Sequence, residues 1–169
     1  MTLVGINSSD RTAFTAALGH LFEHSPWVVE QTWPQRPFRD TAHLHAALCA
    51  TMRAAPKEKQ LALIRAHPDL AGRLAQQNQL TAESTGEQAR AGLNRLREDE
   101  LAEFQKLNDA YRARFGFPFI ICARLNNRAT ILTAMQARLP HPPAQEFVTA
   151  LGEIEQIAQL RLADILAGD

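Results

Sequence analysis

Apolar residues recur at helical spacing along almost the whole chain, and this pattern constrains the fold more than any other feature. In residues 98–116, for example, Leu101, Phe104, Leu107 and Tyr111 follow one another at intervals that place them on one helical face. Strict alternation of apolar and polar residues, which is typical of half-buried strands, is rare. The pattern predicts an all-α protein, a bundle of about eight to nine helices.

One apolar segment, residues 117–123, does not fit this pattern. It reads Phe-Pro-Phe-Ile-Ile-Cys-Ala, is short for a helix and contains a proline, which removes a backbone donor. No second strand-like segment is present to pair with it, so we predict a buried extended segment. The chain shows no linker, repeat or low-complexity stretch, and its length suits a single domain over residues 1–169.

Charge and targeting signals limit the class of partner. Lys plus Arg and Asp plus Glu are both 18, so the formal net charge is zero, which favours neither nucleic acid nor an anionic membrane. No apolar run approaches the roughly 20 residues that cross a bilayer, and residues 1–5 lack the start of a signal peptide. Cys49 and Cys122 form no disulfide framework. We therefore expect a cytoplasmic protein with reduced cysteines.

The segment Ala66–Gly72 interrupts the helical pattern at a proline. Pro68 disfavours the helical conformation for His67, so the imidazole should lie in an extended kink at the end of a helix. An imidazole titrates near neutral pH, which makes His67 a candidate acid or base. The alternative is a helix–proline–helix corner in which His67 is hydrogen-bonded and Asp69 caps a helix over about residues 69–77.

A second polar cluster lies at residues 81–88, Thr-Ala-Glu-Ser-Thr-Gly-Glu-Gln. Ser84 and Glu87 fit a capping box that begins a helix toward Leu96. The free N–H groups at a helix start can bind anionic or carbonyl oxygens, which makes the cluster a candidate binding site. The alternative is structural, with Glu87 closing the capping box on Ser84.

Arg161 falls within the apolar face of the last helix, between Ile154 and Ile157 on a helical wheel. A guanidinium keeps its proton, and burying it unpaired is costly, so Arg161 needs an anion. A protein carboxylate and an anionic ligand both satisfy this requirement.

Motifs for other chemistries are missing. His43 and His45 point to different sides of a helix and make a poor metal pair. The sequence contains no Cys/His cluster, phosphate loop, dinucleotide fingerprint or nucleophile elbow. A metal-assisted hydrolase using His67, Asp69 and Glu87 is a weaker hypothesis, because these residues form no standard metal site.

Several short blocks of sequence carry a resemblance to a known family. In chain order they are Ala66-His67-Pro68-Asp69-Leu70-Ala71-Gly72, Leu80-Thr81-Ala82-Glu83-Ser84 with Glu87-Gln88-Ala89 and Ala91-Gly92-Leu93, Leu107-Asn108 with Ala110-Tyr111, Phe115 to Arg124, and Ile157-Ala158 with Leu160-Arg161-Leu162. As an ordered set they resemble the 2-oxo-4-hydroxy-4-carboxy-5-ureidoimidazoline (OHCU) decarboxylases. The set spans nearly the whole chain, which makes it more specific than any single block.

The resemblance implies an all-α homodimer that converts OHCU, a small-molecule substrate, to (S)-allantoin in urate degradation without a metal or organic cofactor. It implies that His67 is the catalytic acid–base and proton donor, that Glu87 assists it, and that Arg161 meets the anionic or carbonyl edge of the substrate. The implied pocket is lined by Pro68, Ser84, Thr85, Gly86, Glu87, Gln88, Phe119, Ile120, Ile121, Cys122 and Ala123.

A hypothesis from another class stays open. A non-catalytic helical module could bind a small anion or a partner protein through Arg161 and the helix start near Ser84. Such a module binds its ligand without turnover, which distinguishes it from a decarboxylase.

Overall fold

The computed structural model describes residues 1–72, 75, 77 and 79–167, and these residues form helices joined by turns, with no strand among them. This confirms the predicted all-α class. None of these helices is both long enough and apolar enough to cross a lipid bilayer. The helices whose full extent lies among the described residues are α1 Leu3–Ser8, α2 Arg11–Leu18, α3 Trp27–Thr32, α4 Thr41–Ala54, α5 Lys57–Ala66, α6 Ala82–Arg90, α7 Glu98–Phe115, α8 Arg128–Arg138 and α9 Pro143–Leu166.

The sequence predicts helix starts at Asp40 and Asn127 and a helix end at Gly116, and all three lie where they are predicted. The carboxylate of Asp40 accepts the His43 N–H at 2.7 Å and begins α4. Asn127 caps α8 in the same way. Gly116 ends α7 with a φ of 73°, a left-handed conformation that glycine adopts without a Cβ clash.

Two predicted helices have wrong boundaries. The Ser8–Asp10 caps and the spacing of Phe14, Leu18, Leu21 and Phe22 predict a helix through Phe22, and in the structure that helix ends at Leu18. The helix predicted from Ser84 toward Leu96 begins at Ala82 and ends at Arg90. It ends early because the next residues close a Schellman motif, in which the Leu93 N–H donates to the Gln88 carbonyl at 3.0 Å and Gly92 has a φ of 80°.

The segment after Pro68 does not begin a helix at Asp69 as predicted, although Ala75 is helical. Residues 69–72 form a turn, not the start of a helix. The rest of the helix predicted over about residues 69–77 includes Arg73, Leu74 and Gln76, which lie outside the described residues. The extended segment is buried as predicted, and it stays outside regular structure up to Cys122, where a 3-10 turn over Ala123–Leu125 follows.

The chain groups into two compact units, one of Met1–Ala66 with Glu155–Asp169, the other of His67–Ile154. A single domain over residues 1–169 stays a prediction. Each unit has its own apolar core of side chains that are at most 1% exposed. In the first unit these include Phe14, Leu18, Phe22, Leu44, Leu48 and Met52, and in the second Phe104, Tyr111, Phe119, Ile131 and Met135.

Candidate active site

His67 lies directly after α5, outside the helix, and is buried. Its position agrees with the restriction that Pro68 places on the preceding residue. A turn at residues 69–72 follows, with Ala71 at a φ of 50°. A residue with a Cβ rarely adopts this left-handed conformation, so contacts from elsewhere must hold the turn in place.

The side-chain amide of Gln88, on α6, holds the turn from one side. Its Oε1 accepts the Ala71 N–H at 3.0 Å, and its Nε2 donates to the Asp69 carbonyl at 3.4 Å. Gln88 is itself buried. Gln88 is one of the residues that the family resemblance assigns to the substrate pocket. Both ends of its amide are hydrogen-bonded to the backbone that follows His67.

Two side chains of α7 hold the same turn from another side. Asn108 Nδ2 donates to the Leu70 carbonyl at 2.9 Å. Arg112 Nε donates to both carboxylate oxygens of Asp69, at 2.8 and 3.0 Å. Asp69 therefore pairs with an arginine. The expectation that it caps a helix concerns a segment that includes Arg73, Leu74 and Gln76, which lie outside the described residues. Among the residues that the structure describes, no three His, Cys, Asp or Glu side chains cluster as a metal site.

Helix α6 buries only some of the residues that the family resemblance assigns to the pocket. Its N-cap is Thr81, whose hydroxyl accepts the Ser84 N–H at 3.3 Å, so Ser84 lies inside the helix and cannot form a capping box with Glu87. Ser84 and Gln88 are buried and Glu87 is half-buried, whereas Thr85 and Gly86 are exposed. The predicted pocket residues 84–88 thus divide between two faces, as helical spacing requires.

Glu87 lies near the end of the extended segment. Burial raises the pKa of the Cys122 thiol above its ordinary value, and the negative charges of Glu153 and Glu87 raise it further. Helix α6 also contacts the 3-10 turn at Ala123–Leu125. Through Gln88 and Glu87, α6 therefore brings together the turn after His67 and the segment at residues 117–123.

Two hydrogen bonds hold one edge of the extended segment. Arg138 NH1 donates to the Ile120 carbonyl at 2.8 Å, and a Glu153 carboxylate oxygen accepts the Cys122 N–H at 2.8 Å. Successive residues of an extended backbone direct their polar groups to opposite edges, so Ile121 faces the other edge. Ile121 is buried, and within the described part of the chain its N–H and C=O have no hydrogen-bond partner.

Unpaired main-chain groups are rare in buried residues, because leaving them without partners is unfavourable. The edge formed by Ile121 offers one donor and one acceptor side by side. Chemically, such an edge can bind a planar ring that carries an adjacent C=O and N–H.

A buried cluster around Glu146 supports this segment, and sequence reasoning missed it. Both Arg138 Nε, at 2.7 Å, and Arg138 NH2 donate to Glu146 Oε1, which also accepts the Tyr111 hydroxyl. Nδ1 of His141 lies 3.0 Å from the other carboxylate oxygen. A signal was present: Arg138 follows Ile131 and Met135 at helical spacing, so a charge falls within an apolar stripe.

Arg161 is buried in the first unit and has a protein carboxylate as a partner. Its NH1 and NH2 both donate to Glu23 Oε2 at 3.2 Å, and NH1 also donates to the His20 carbonyl at 3.1 Å. Glu23 is equally buried. The sequence leaves open whether Arg161 pairs with a protein carboxylate or with an anionic ligand, and in the structure it pairs with the carboxylate of Glu23. His67 and Glu87 belong to the other unit.

Comparison with known proteins places these features in a family. The sequence matches the OHCU decarboxylase family model over residues 7–163. The 2-oxo-4-hydroxy-4-carboxy-5-ureidoimidazoline decarboxylase of Mus musculus is 44% identical, over 98% of this chain and 93% of the relative. The enzyme of the same name from Halalkalicoccus jeotgali is 43% identical, over 98% and 92%.

Solved structures agree in fold. A crystal structure of (S)-allantoin synthase has a TM-score of 0.78 at 30% identity, covering 98% of this chain and 54% of that one, so this chain spans about half of that protein. A crystal structure of OHCU decarboxylase in the presence of (S)-allantoin has a TM-score of 0.71 at 21% identity, covering 94% and 99%. The matches define the class as carbon–carbon lyases of the decarboxylase type. The chain belongs to the OHCU decarboxylase family.

Proposed function

We propose that this protein decarboxylates OHCU to (S)-allantoin in urate degradation without a cofactor. The observation that carries the proposal is the identity of 43–44% to decarboxylases of that name over nearly the full length of both chains. Its position in the cytoplasm and a homodimeric state are part of the same proposal. The homodimeric state rests on the family resemblance, and the cytoplasmic location rests on the two cysteines, which form no disulfide framework.

The chemistry of the substrate explains how the reaction can proceed without a cofactor. Loss of CO2 leaves an electron pair on a ring carbon, and the adjacent C=N of OHCU can accept it. The enol-like intermediate then needs one proton on one face to give a single enantiomer. The protein has to position the ring, polarise the hydroxyl group and deliver that proton.

His67 is the proposed proton donor. The turn that follows it is held by Gln88, Asn108 and Arg112, which limits the movement of the preceding backbone. Burial also removes the imidazole from bulk water. A proton donor fixed in this way can serve one face of a bound ring, which the formation of one enantiomer requires.

Glu87 and the Ile121 edge are proposed to bind the substrate. A half-buried carboxylate on the inward face of α6 can orient the imidazole or accept a hydrogen bond from the substrate hydroxyl. The N–H and C=O of Ile121 can pair with the amide edge of the ring. The apolar side chains of the segment keep water away from the reacting carbon.

Arg161 is proposed to meet the anionic edge of the substrate as well as Glu23. A guanidinium has five N–H donors in a planar fork, so one arginine can bind a protein carboxylate and a ligand oxygen together. The ion pair with Glu23 fixes the plane of that fork. A fixed positive charge favours an anionic ligand more strongly than a mobile one.

The direct test is to generate OHCU enzymatically from urate and to follow circular dichroism after adding the purified protein. We expect faster formation of allantoin and a single handedness. If neither the rate nor the handedness changes, the protein is not this decarboxylase. Binding of allantoin without any turnover of OHCU would instead favour the non-catalytic module.

A second test assigns the role of His67. We expect His67→Asn to lower kcat by about 10²–10⁴-fold, the range for loss of a general acid or base, while the far-ultraviolet helical signal stays the same. The matched control is His24→Asn, because His24 is exposed and its φ of 46° is one that asparagine tolerates. Equal activity of the two variants would remove His67 from the mechanism.

A further inference from the structure

The extended segment at residues 117–123 is contacted by the buried arginine Arg138 in two ways. Arg138 donates to the Ile120 carbonyl through NH1, and its guanidinium carbon lies 4.3 Å from the centre of the Phe119 ring. Tyr111 packs edge-on against the same ring, with centroids 5.3 Å apart. Arg138 thus contacts both the backbone and a side chain of the segment.

Glu146 fixes the arginine. Its carboxylate is completely buried and binds two nitrogens of the guanidinium, and the Tyr111 hydroxyl donates to the same oxygen. A buried ion pair has few alternative arrangements, because each ion loses its partner if it moves. The position of NH1, and with it the Ile120 carbonyl, is therefore set from within the core.

We propose that Arg138, held by Glu146, is a positioning residue of the active site that presets the main-chain edge of Ile121 for the substrate. The inference rests on the proposed function, in which this segment lines the pocket. Arg138 does not need to contact the substrate. By holding the Ile120 carbonyl on one edge of the segment, it directs the Ile121 N–H and C=O to the opposite edge.

The planar fork of an arginine suits this task. Nε and NH2 bind Glu146 in one direction while NH1 points in another, toward the Ile120 carbonyl. A lysine carries the same charge on a single nitrogen and lacks the fixed angle between its donors. The substitution Arg138→Lys should therefore keep the positive charge that neutralises Glu146 and lose the alignment of the segment.

The test is Arg138→Lys with steady-state kinetics on OHCU, measured per folded molecule. We expect KM to rise about tenfold, the effect of losing one charge-assisted hydrogen bond, with kcat changed less than about threefold. The matched control is Arg128→Lys on the same helix, because Arg128 is half exposed and pairs only with Glu100 among the described residues. The control should leave both constants unchanged.

A role confined to stability gives a different result. It would lower the amount of folded Arg138→Lys protein and leave KM of the folded fraction at the value of the unmodified protein, which would overturn the inference. Failure of the proposed function is distinguishable, because the unmodified protein would then not convert OHCU at all.

A measurement on unmodified protein makes the test independent of how well the variant folds. Positioning by Arg138 requires a segment that is already ordered without ligand. The Cys122 amide, which donates to Glu153, should then exchange its hydrogen slowly, and added (S)-allantoin should slow exchange mainly at Ile121. Fast exchange across residues 119–122 that becomes slow only with (S)-allantoin would mean that the ligand orders the segment. That outcome would contradict positioning by Arg138.

Discussion

Two non-helical segments of the second unit are each held by an arginine–carboxylate pair, and the pairs differ in burial. Arg112 and Asp69 hold the turn at residues 69–72 with side chains that are 43% and 26% exposed. Arg138 and Glu146 hold the segment at residues 117–123 with side chains that are 9% and 0% exposed. The Arg112–Asp69 pair is therefore partly surrounded by water, whereas the Arg138–Glu146 pair lies in the low-dielectric interior.

The difference indicates which contacts each segment depends on. An exposed ion pair is screened by water and contributes about 0–1 kcal/mol, so the turn depends mainly on the buried amides of Gln88 and Asn108. A buried pair need not stabilise the fold relative to apolar side chains, but removing one partner leaves an uncompensated charge. The extended segment therefore depends on the integrity of its ion pair.

The largest effect should come from Glu146→Gln. The substitution keeps the shape of the side chain and leaves the buried guanidinium of Arg138 without its charge partner, so we expect unfolding free energy to fall by about 3–5 kcal/mol. Urea unfolding followed by circular dichroism measures this. Glu100→Gln is the matched control, because Glu100 pairs with the half-exposed Arg128. Equal losses in both variants would mean that burial does not distinguish the two pairs.

Asn108→Ala should weaken the turn by a smaller amount. It removes the donor to the buried Leu70 carbonyl, and we expect a loss of about 1–2 kcal/mol in the same unfolding experiment. Asn108 Oδ1 is buried and has no hydrogen-bond partner among the described residues, which favours the lower end of this range. A loss above that of Glu146→Gln would reverse the comparison between the two segments.

Because of the Tyr111 hydroxyl, we expect the stability of the fold to depend on pH in the alkaline range. Burial raises the pKa of Tyr111 above its ordinary value, and the hydrogen bond to Glu146 raises it further. A pKa raised in the folded state stabilises the fold below the unfolded value of about 10, and this contribution is lost as pH rises above it. We expect stability to fall more steeply between pH 9 and 11 in the unmodified protein than in Tyr111→Phe.

The same pH titration can be made on Asn108→Ala. Because Asn108 belongs to the turn and does not ionise, its stability difference from the unmodified protein should stay constant over this range. Parallel curves for the unmodified protein and Tyr111→Phe would show that the hydroxyl is not coupled to folding.

The smallest effect should come from Arg112→Ala. Loss of the exposed pair with Asp69 should lower the unfolding free energy by about 1 kcal/mol or less, and raised salt should reduce the difference. Chemical unfolding at low and high ionic strength measures both quantities. A loss of several kcal/mol that salt does not change would mean that this pair behaves as a buried one.

The sequence predicts local features, such as helix ends, better than it predicts which distant residues pair with each other. Helix starts at Asp40 and Asn127 follow from a single side chain, and the restriction before Pro68 follows from one ring. The predicted start of α6 is wrong because Thr81 and Ser84 are both good capping residues, and only the folded structure shows that Thr81 is the cap. The predicted end of α6 is wrong because Gly92 adopts a left-handed conformation, which the sequence pattern does not indicate.

Partners of buried charges depend on contacts between distant residues, which a single sequence does not contain. Arg161 was predicted to be buried because it lies in an apolar stripe, but nothing near it in the chain indicates Glu23. The same periodic signal marks Arg138, and its partner Glu146 lies on the next helix. Periodicity therefore identifies a buried charge, and tertiary structure identifies what neutralises it.

The backbone conformation of Ala71 links the Gln88 amide to the position of His67. Left-handed backbone at a residue with a Cβ is unfavourable by about 1–2 kcal/mol, so this turn is a conformation that relaxes when its contacts are removed. Gln88 supplies one of those contacts through the Ala71 N–H. If this amide were drawn away from Ala71, the turn would relax, and His67, which directly precedes the turn, would lose part of the support that fixes it.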